Sequence, residues 1–168
     1  MRNRIIYWLL VLVFQFLVLN HLGFSAFIIP QAFIVLLITL PLSLGKTTQV
    51  LIAFGLGIVA DLFVATSGIH ASASLWLIVL RIMILSRQDL KQQMVSNLPY
   101  NMKSVGVLPF LNTTLILVPL YHFYIFWIQN IGAIHWKNYF IASGASSILA
   151  ITIIITIQYL SFRGENER

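Results

Sequence analysis

Six long apolar runs, separated by short polar breaks, make up most of this 168-residue chain. Each run approaches or exceeds the roughly 20 residues that a helix needs to cross a bilayer. Ser67-Gly68, between the third and fourth runs, is typical of a turn and predicts a tight helical hairpin. We therefore predict an all-α integral membrane protein, a single domain over 1–168, whose six transmembrane helices lie near 5–22, 27–44, 50–66, 70–86, 105–129 and 139–162.

Composition excludes the soluble alternatives. Hydrophobic residues are 60% of the chain and charged residues only 8%, whereas soluble domains average about 45–50% and about 25%. A soluble fold of this size leaves near a third of its chain surface in water, so it could not hide this much apolar surface. The absence of cysteine excludes a secreted disulfide scaffold.

The net charge of +6 is an orientation signal. Basic residues are concentrated on the cytoplasmic side of membrane proteins, and with six spans one side of this chain would hold nearly all of them. We therefore expect both termini to be cytoplasmic, the first run to remain as an anchor, and no nucleic acid to bind. The residues on that side are Arg2, Arg4, Lys46, Arg87, Lys91, Lys103, Arg163 and Arg168, against Lys137 on the other.

Two charges lie well inside the runs, Asp61 in the third and Arg81 in the fourth. His70, Ser74 and Arg81 share a helical face, because seven residues are close to two turns. We predict an intramembrane polar network in which Asp61 and Arg81 pair, directly or through Ser74 or water. Two other interpretations stay open: each charge is solvated separately, with Arg81 snorkelling to headgroups, or the pair forms a substrate or proton site.

The remaining polar residues favour structural roles. His70, just after the turn at Gly68, is expected to bond back to that turn, with proton handling or ligand binding as the alternative. Asn112, Thr113 and Thr114 are expected to satisfy carbonyls that Pro119 frees. No metal-ligand spacing and no motif of a catalytic or cofactor site is present, so no cofactor and no enzymatic activity are predicted.

Small residues recur every four positions in two of the runs. They predict close helix contacts, although the sequence leaves open whether the contact in the sixth run is internal or belongs to a homodimer. The two sets are Ala53 and Gly57, leading to Asp61, and Ala142, Ser146 and Ala150.

The polar stretch 87–104 is predicted to be a cytoplasmic loop. If 87–98 is helical, Leu90 and Met94 share a side with Arg87 and Lys91. That pattern suits a short helix lying on membrane lipids, ended by Pro99. Docking of a partner protein on the same residues is the alternative.

One local pattern resembles a known family. Residues 55–63, Gly-Leu-Gly-Ile-Val-Ala-Asp-Leu-Phe, followed by Ser67-Gly68-Ile69-His70-Ala71, resemble the glycine-rich span, aspartate and Gly-x-His turn of the rod shape-determining protein MreD family. The resemblance implies a non-enzymatic component of the bacterial cell-elongation machinery in the inner membrane. It also implies binding to the scaffold MreC, indirect association with MreB, RodA and a penicillin-binding transpeptidase, and support of lateral peptidoglycan synthesis.

The MreD resemblance further implies the six-helix fold of the substrate-binding subunits of energy-coupling-factor transporters. A small-molecule-binding subunit of such a transporter is therefore the alternative function. Those subunits dock their partner through small residues on the first helix. Here the first run contains no Gly, Ala or Ser between Ile5 and Leu22, which favours the cell-shape function.

Overall fold

The computed structural model describes residues 2–20, 28–90, 97–131 and 136–166. Over these ranges the chain is helical and contains no strand beyond an isolated bridge between Pro41 and Pro99, so the predicted all-α class is confirmed. The helices are α1 (Arg2–Val13, continuing as the π-helical segment Phe14–Leu19), α2 (Ile34–Ile38), α3 (Lys46–Val64), α4 (Ile69–Leu85), α5 (Met102–Val105), α6 (Val107–Gln129) and α7 (Trp136–Asn166).

Three of the described helices are long and apolar enough to cross a membrane. They are α3, α6 and the Lys137–Leu160 part of α7. Two shorter apolar helices, Ile6–Leu19 and Ile69–Leu85, accompany them. Their lengths and composition identify a membrane protein.

Helices α3 and α4 form the predicted hairpin. Ala65 ends α3 and Gly68 precedes α4, both in the left-handed region at φ +55° and +83°. Glycine adopts this conformation without the steric cost that a Cβ brings. The turn predicted at Ser67-Gly68 is confirmed.

The second apolar run differs from the prediction. Of residues 28–44 only Ile34–Ile38 is α-helical, so a continuous helix over this run is wrong. Ala32 through Ile38 have 0% exposure, which places them in the centre of the bundle. Irregular backbone at membrane depth is tolerated where protein surrounds it and satisfies its polar groups. We call residues 28–40 the central segment.

The remaining helices pack around this centre. Helix α4 contacts α2, α3 and α6, and α6 packs along α7. Ala142, Ser146 and Ala150 are buried within the chain, so the small-residue face of the sixth run is an internal contact. The predicted helix over 87–98 is wrong at 87–90 and 97–98, which are not helical, and residues 91–96 lie outside the described residues.

Candidate functional site

The first end of the central segment is held by an amide from α1. Gln15 is fully buried, and its Oε1 accepts hydrogen bonds from the backbone N–H groups of Ala32 at 2.6 Å and Phe33 at 3.2 Å. Its Nε2 donates to the carbonyl of Pro30 at 3.1 Å. These N–H groups lie just before α2, whose own first N–H groups bond to the carbonyls of the preceding residues. Gln15 therefore satisfies, from another helix, the backbone that leads into α2.

Two more helices bind the backbone of the same part of the central segment. Ser146 Oγ of α7 accepts from the N–H of Ile29 at 3.1 Å, and His122 Nε2 of α6 accepts from the N–H of Gln31 at 3.3 Å. His122 Nδ1 lies 2.9 Å from the Val118 carbonyl. A carbonyl can only accept, so the proton is on Nδ1 and Nε2 is free to accept, which identifies the neutral imidazole.

Arg81 of α4 holds the opposite end of the central segment. Its Nε donates to the carbonyl of Ile38 at 3.0 Å, and one terminal nitrogen donates to the carbonyl of Leu40 at 2.6 Å. The other terminal nitrogen donates to Gln49 Oε1 at 2.6 Å, and Gln49 Nε2 donates to the Leu44 carbonyl. The planar guanidinium suits this arrangement because its donors point in fixed, divergent directions.

Asp61 has a different set of partners from Arg81. One carboxylate oxygen accepts from Thr66 Oγ1 at 2.5 Å and from the N–H of His70 at 2.9 Å. The other accepts from the N–H of Ala71 at 2.9 Å. Asp61 therefore caps the first turn of α4, where the helix dipole also favours negative charge.

The predicted pair of Asp61 and Arg81 is therefore wrong. The hairpin sets Asp61 level with Ala71, and the ten residues from there to Arg81 span about 15 Å along α4. Snorkelling is also wrong, because Arg81 is 1% exposed and bonds to protein groups. Each charge is bound separately, Asp61 by backbone N–H groups and the Thr66 hydroxyl and Arg81 by backbone carbonyls and the Gln49 amide.

Gly57 determines how closely α3 approaches α4. A Cβ at this position would lie 2.4 Å from the Ala71 Cα, well inside any real contact. Ala53 and Ala60, on the same side of α3, are also fully buried. The predicted close helix contact is confirmed, and it brings the Asp61 carboxylate within reach of the first N–H groups of α4.

His70 and Ser74 leave two buried polar atoms without a partner. The His70 ring does not bond back to the turn as predicted; its Nδ1 lies 3.2 Å from the Tyr121 hydroxyl on α6. Over the described residues, His70 Nε2 and Ser74 Oγ are buried and make no hydrogen bond. Such groups are rare in native interiors, so each of these two atoms has the capacity for one more hydrogen bond, to water or to a bound polar molecule.

A second polar cluster joins the polar stretch 87–104 to α6. The Tyr100 hydroxyl lies 3.0 Å from Gln88 Oε1, 3.0 Å from the Pro109 carbonyl and 2.7 Å from Thr113 Oγ1. The Arg81 guanidinium carbon lies 5.9 Å from the centre of the Tyr100 ring. This distance is within the range of a cation–π interaction, so the Tyr100 cluster also supports Arg81.

One residue predicted to contact lipid or a partner from the stretch 87–104 does not do so. Leu90 is 6% exposed and packs in the hydrophobic core, so it is not a contact for lipid or a partner. Arg87 is exposed. Lys91 and Met94 lie outside the described residues.

The polar residues before Pro119 do not fill the role predicted for them. Proline lacks an N–H, and this removes the donor to the Leu115 carbonyl. Thr114 Oγ1 donates instead to the carbonyl four residues before it, at 2.8 Å, and Thr113 belongs to the Tyr100 cluster. The expectation is wrong for both hydroxyls.

Metal ligation is another role that histidine and carboxylate side chains can have. No group of three or more His, Cys, Asp or Glu side chains that could hold a metal ion occurs in the described ranges. His21 and His135 lie outside them. His122 is engaged as an acceptor for the central segment.

Sequence reasoning missed Gln15, Gln49 and His122, the residues that complete the site. A charged residue in an apolar run is a strong sign of a polar site, whereas an uncharged amide in such a run is a weaker one. Pro30 was the available signal, because a proline inside a predicted span leaves backbone groups for other side chains to satisfy. Gln15 and Gln49 were therefore candidates to satisfy such backbone groups.

In comparisons with known proteins, no family model, no curated protein and no solved structure matches this chain.

Proposed function

We propose that this chain is a non-enzymatic, MreD-like component of the bacterial cell-elongation machinery that works by binding a membrane scaffold of the MreC type. One observation carries the proposal. The residues that resemble the MreD family include Gly57, Asp61, Gly68 and His70, and these residues form the joint between α3 and α4. The residues of the resembling pattern therefore have a structural role in this chain, which supports the proposal.

The polar groups of the interior support binding rather than chemistry as the mode of action. The oxygens of Asp61 and the nitrogens of Arg81 bond to backbone groups and to the side chains of Thr66 and Gln49. Strong hydrogen bonds to charged groups rigidify a protein interior. A rigid helical bundle with this interior suits a protein that presents a fixed surface to a membrane partner.

The proposed topology has six membrane-crossing segments with both termini in the cytoplasm. In it α1, the central segment, α3, α4, α6 and α7 each cross the inner membrane. The eight basic residues on one side against Lys137 on the other support this orientation. The central segment is the shortest of the six and crosses between the other helices, whose side chains bind backbone groups near both of its ends.

Depletion in the bacterium that encodes the chain tests the cell-shape function. Rod-shaped cells are expected to become round and to lose lateral wall synthesis, and the chain is expected to co-purify with the scaffold. Gene neighbours encoding an actin-like filament and a coiled-coil membrane scaffold would agree. Unchanged shape and wall synthesis after depletion would overturn the proposal.

Rescue of the depleted cells adds a matched control. Gly57→Ala is expected to rescue poorly because it separates α3 from α4. Gly55→Ala, where a Cβ meets nothing within 4 Å, is expected to rescue fully.

A small-molecule-binding subunit of an energy-coupling-factor transporter is the second candidate. The unpartnered His70 Nε2 and Ser74 Oγ, together with the short helix and irregular backbone of the central segment, favour it. Mass spectrometry of protein purified in mild detergent tests it. A vitamin-like compound retained by the native chain and lost in His70→Phe would promote this candidate over the first.

A further inference from the structure

Asn112 is a polar side chain in the middle of an apolar, outward-facing surface of α6. The residues four before it and three and four after it are Leu108, Leu115 and Ile116, which are 69%, 53% and 48% exposed. Asn112 is itself exposed. Because residues three and four apart share a helical face, these side chains form one surface, which we call the Asn112 face.

The amide of Asn112 has no hydrogen-bond partner among the described residues. Other exposed polar side chains on a membrane-spanning helix do have partners. Thr152 and Thr156 each donate to a carbonyl of their own helix, at 2.9 Å and 2.8 Å. An amide left unpaired in hydrocarbon is costly, so Asn112 would gain from a partner beyond the described residues.

The depth of Asn112 keeps it away from water. Helix α6 has 23 residues, a length of about 34 Å, against a hydrocarbon core of about 30 Å. Asn112 lies five residues from Val107, about 8 Å along the helix axis. It is therefore inside the hydrocarbon, and its short side chain cannot snorkel as Lys or Arg does.

Pro119 adds a second polar group to the same face. It lies seven residues after Asn112, two helical turns further on. Because proline has no N–H, the carbonyl of the exposed Leu115 lacks its usual donor from position 119. The Asn112 face therefore offers an amide donor and acceptor and, one turn away, a carbonyl acceptor.

We propose that the Asn112 face is a self-association surface, at which a second copy of this chain packs its own α6. Two copies in one membrane have the same orientation, so a two-fold axis between them runs along the membrane normal. Asn112 then has the same depth in both copies, and the two amides meet near the axis. An amide is self-complementary, since the donor of one pairs with the acceptor of the other. Asn side chains drive helix association in membranes in this way.

Disulfide cross-linking in vesicles tests the contact, and the chain suits it because it has no cysteine. Leu108→Cys and Ile116→Cys place a thiol on the Asn112 face while keeping the amide. Ile148→Cys, on α7 and 69% exposed, is the matched control. Oxidation of purified protein in phosphatidylcholine vesicles is expected to give a covalent dimer from the first two variants and none from the control.

Removing the amide tests its part in the contact. Asn112→Leu in the Leu108→Cys background is expected to weaken dimerisation about tenfold, and Asn112→Gln is expected to retain most of it. Thr152→Leu is the control for replacing an exposed polar side chain, and it should leave dimerisation unchanged. Unchanged helicity and thermal stability of the monomer establish that Asn112→Leu still folds.

Three results would overturn the proposal. They are a chain that stays monomeric in vesicles, cross-linking that Asn112→Leu leaves unchanged, and cross-linking of Leu108→Cys in native membranes to another protein only. The inference needs only that α6 crosses a bilayer, so its failure would leave the cell-shape function standing.

Discussion

The backbone of Ala71 lies against Gly57 so closely that a Cβ at position 57 would sit 2.4 Å from the Ala71 Cα and 2.8 Å from its nitrogen. Four residues along α3, the Asp61 carboxylate accepts from that same Ala71 nitrogen at 2.9 Å. The close packing of α3 on α4 and the capping of α4 by Asp61 therefore depend on the same contact at Ala71. A change that separates α3 from α4 also weakens the Asp61 cap.

Gly57→Ala should lower the free energy of unfolding by about 1–3 kcal/mol, because the added methyl meets backbone that cannot turn aside. Gly55→Ala is the control, since a Cβ there meets nothing within 4 Å. It should be neutral or slightly stabilising through helix propensity. Unfolding by SDS in mixed micelles, followed by circular dichroism, measures both, and equal stability of the two variants would contradict the close contact.

Asp61→Asn and Arg81→Gln should each destabilise the protein, and their effects should add. Asn keeps one acceptor but turns an amide toward a backbone N–H, at a cost of about 1–3 kcal/mol. The two residues have no partner in common, so the double variant should match the sum within about 0.5 kcal/mol. A coupling larger than 1 kcal/mol would revive the direct pair.

Arg81→Met should be more harmful than Arg81→Lys. Methionine leaves the Ile38 and Leu40 carbonyls buried without donors, and we expect a loss of about 3–5 kcal/mol. Lysine keeps the charge but cannot reach three divergent acceptors, and about 1–3 kcal/mol is expected. Arg87→Met, at an exposed position, is the control and should change stability by less than about 0.5 kcal/mol. Equal losses at 81 and 87 in the same unfolding assay would argue against the role of Arg81.

Two fully buried serines should respond in opposite ways to alanine. Ser146→Ala removes the acceptor of the Ile29 N–H and should cost about 1–2 kcal/mol. Ser74→Ala removes a hydroxyl that has no partner within the described chain and should be neutral or stabilising. Thermal unfolding of both variants provides the comparison. If Ser74→Ala is as harmful as Ser146→Ala, the Ser74 hydroxyl binds water or a ligand in the native protein.

The sequence correctly predicted the elements in which a long apolar run forms a continuous helix. The hairpin of α3 and α4, the long helices α6 and α7 and the small-residue contacts at Gly57 and Ala150 all follow from local rules of length, turn residues and side-chain size. The partners of Asp61 and Arg81 did not follow. They depend on backbone groups that lie nearby only after the chain has folded.

By itself, the sequence determined that this is a helical membrane protein, because hydropathy measures the surface that must leave water and no soluble fold could hide so much of it. The hydropathy of a uniformly apolar run does not show where its backbone departs from a continuous helix, so the second apolar run was predicted to be a helix like the others. Only the tertiary structure decided that this run becomes a central segment helical over Ile34–Ile38. Its free backbone groups can stay in the interior because Gln15, Arg81, His122 and Ser146, which come from four other helices, satisfy them.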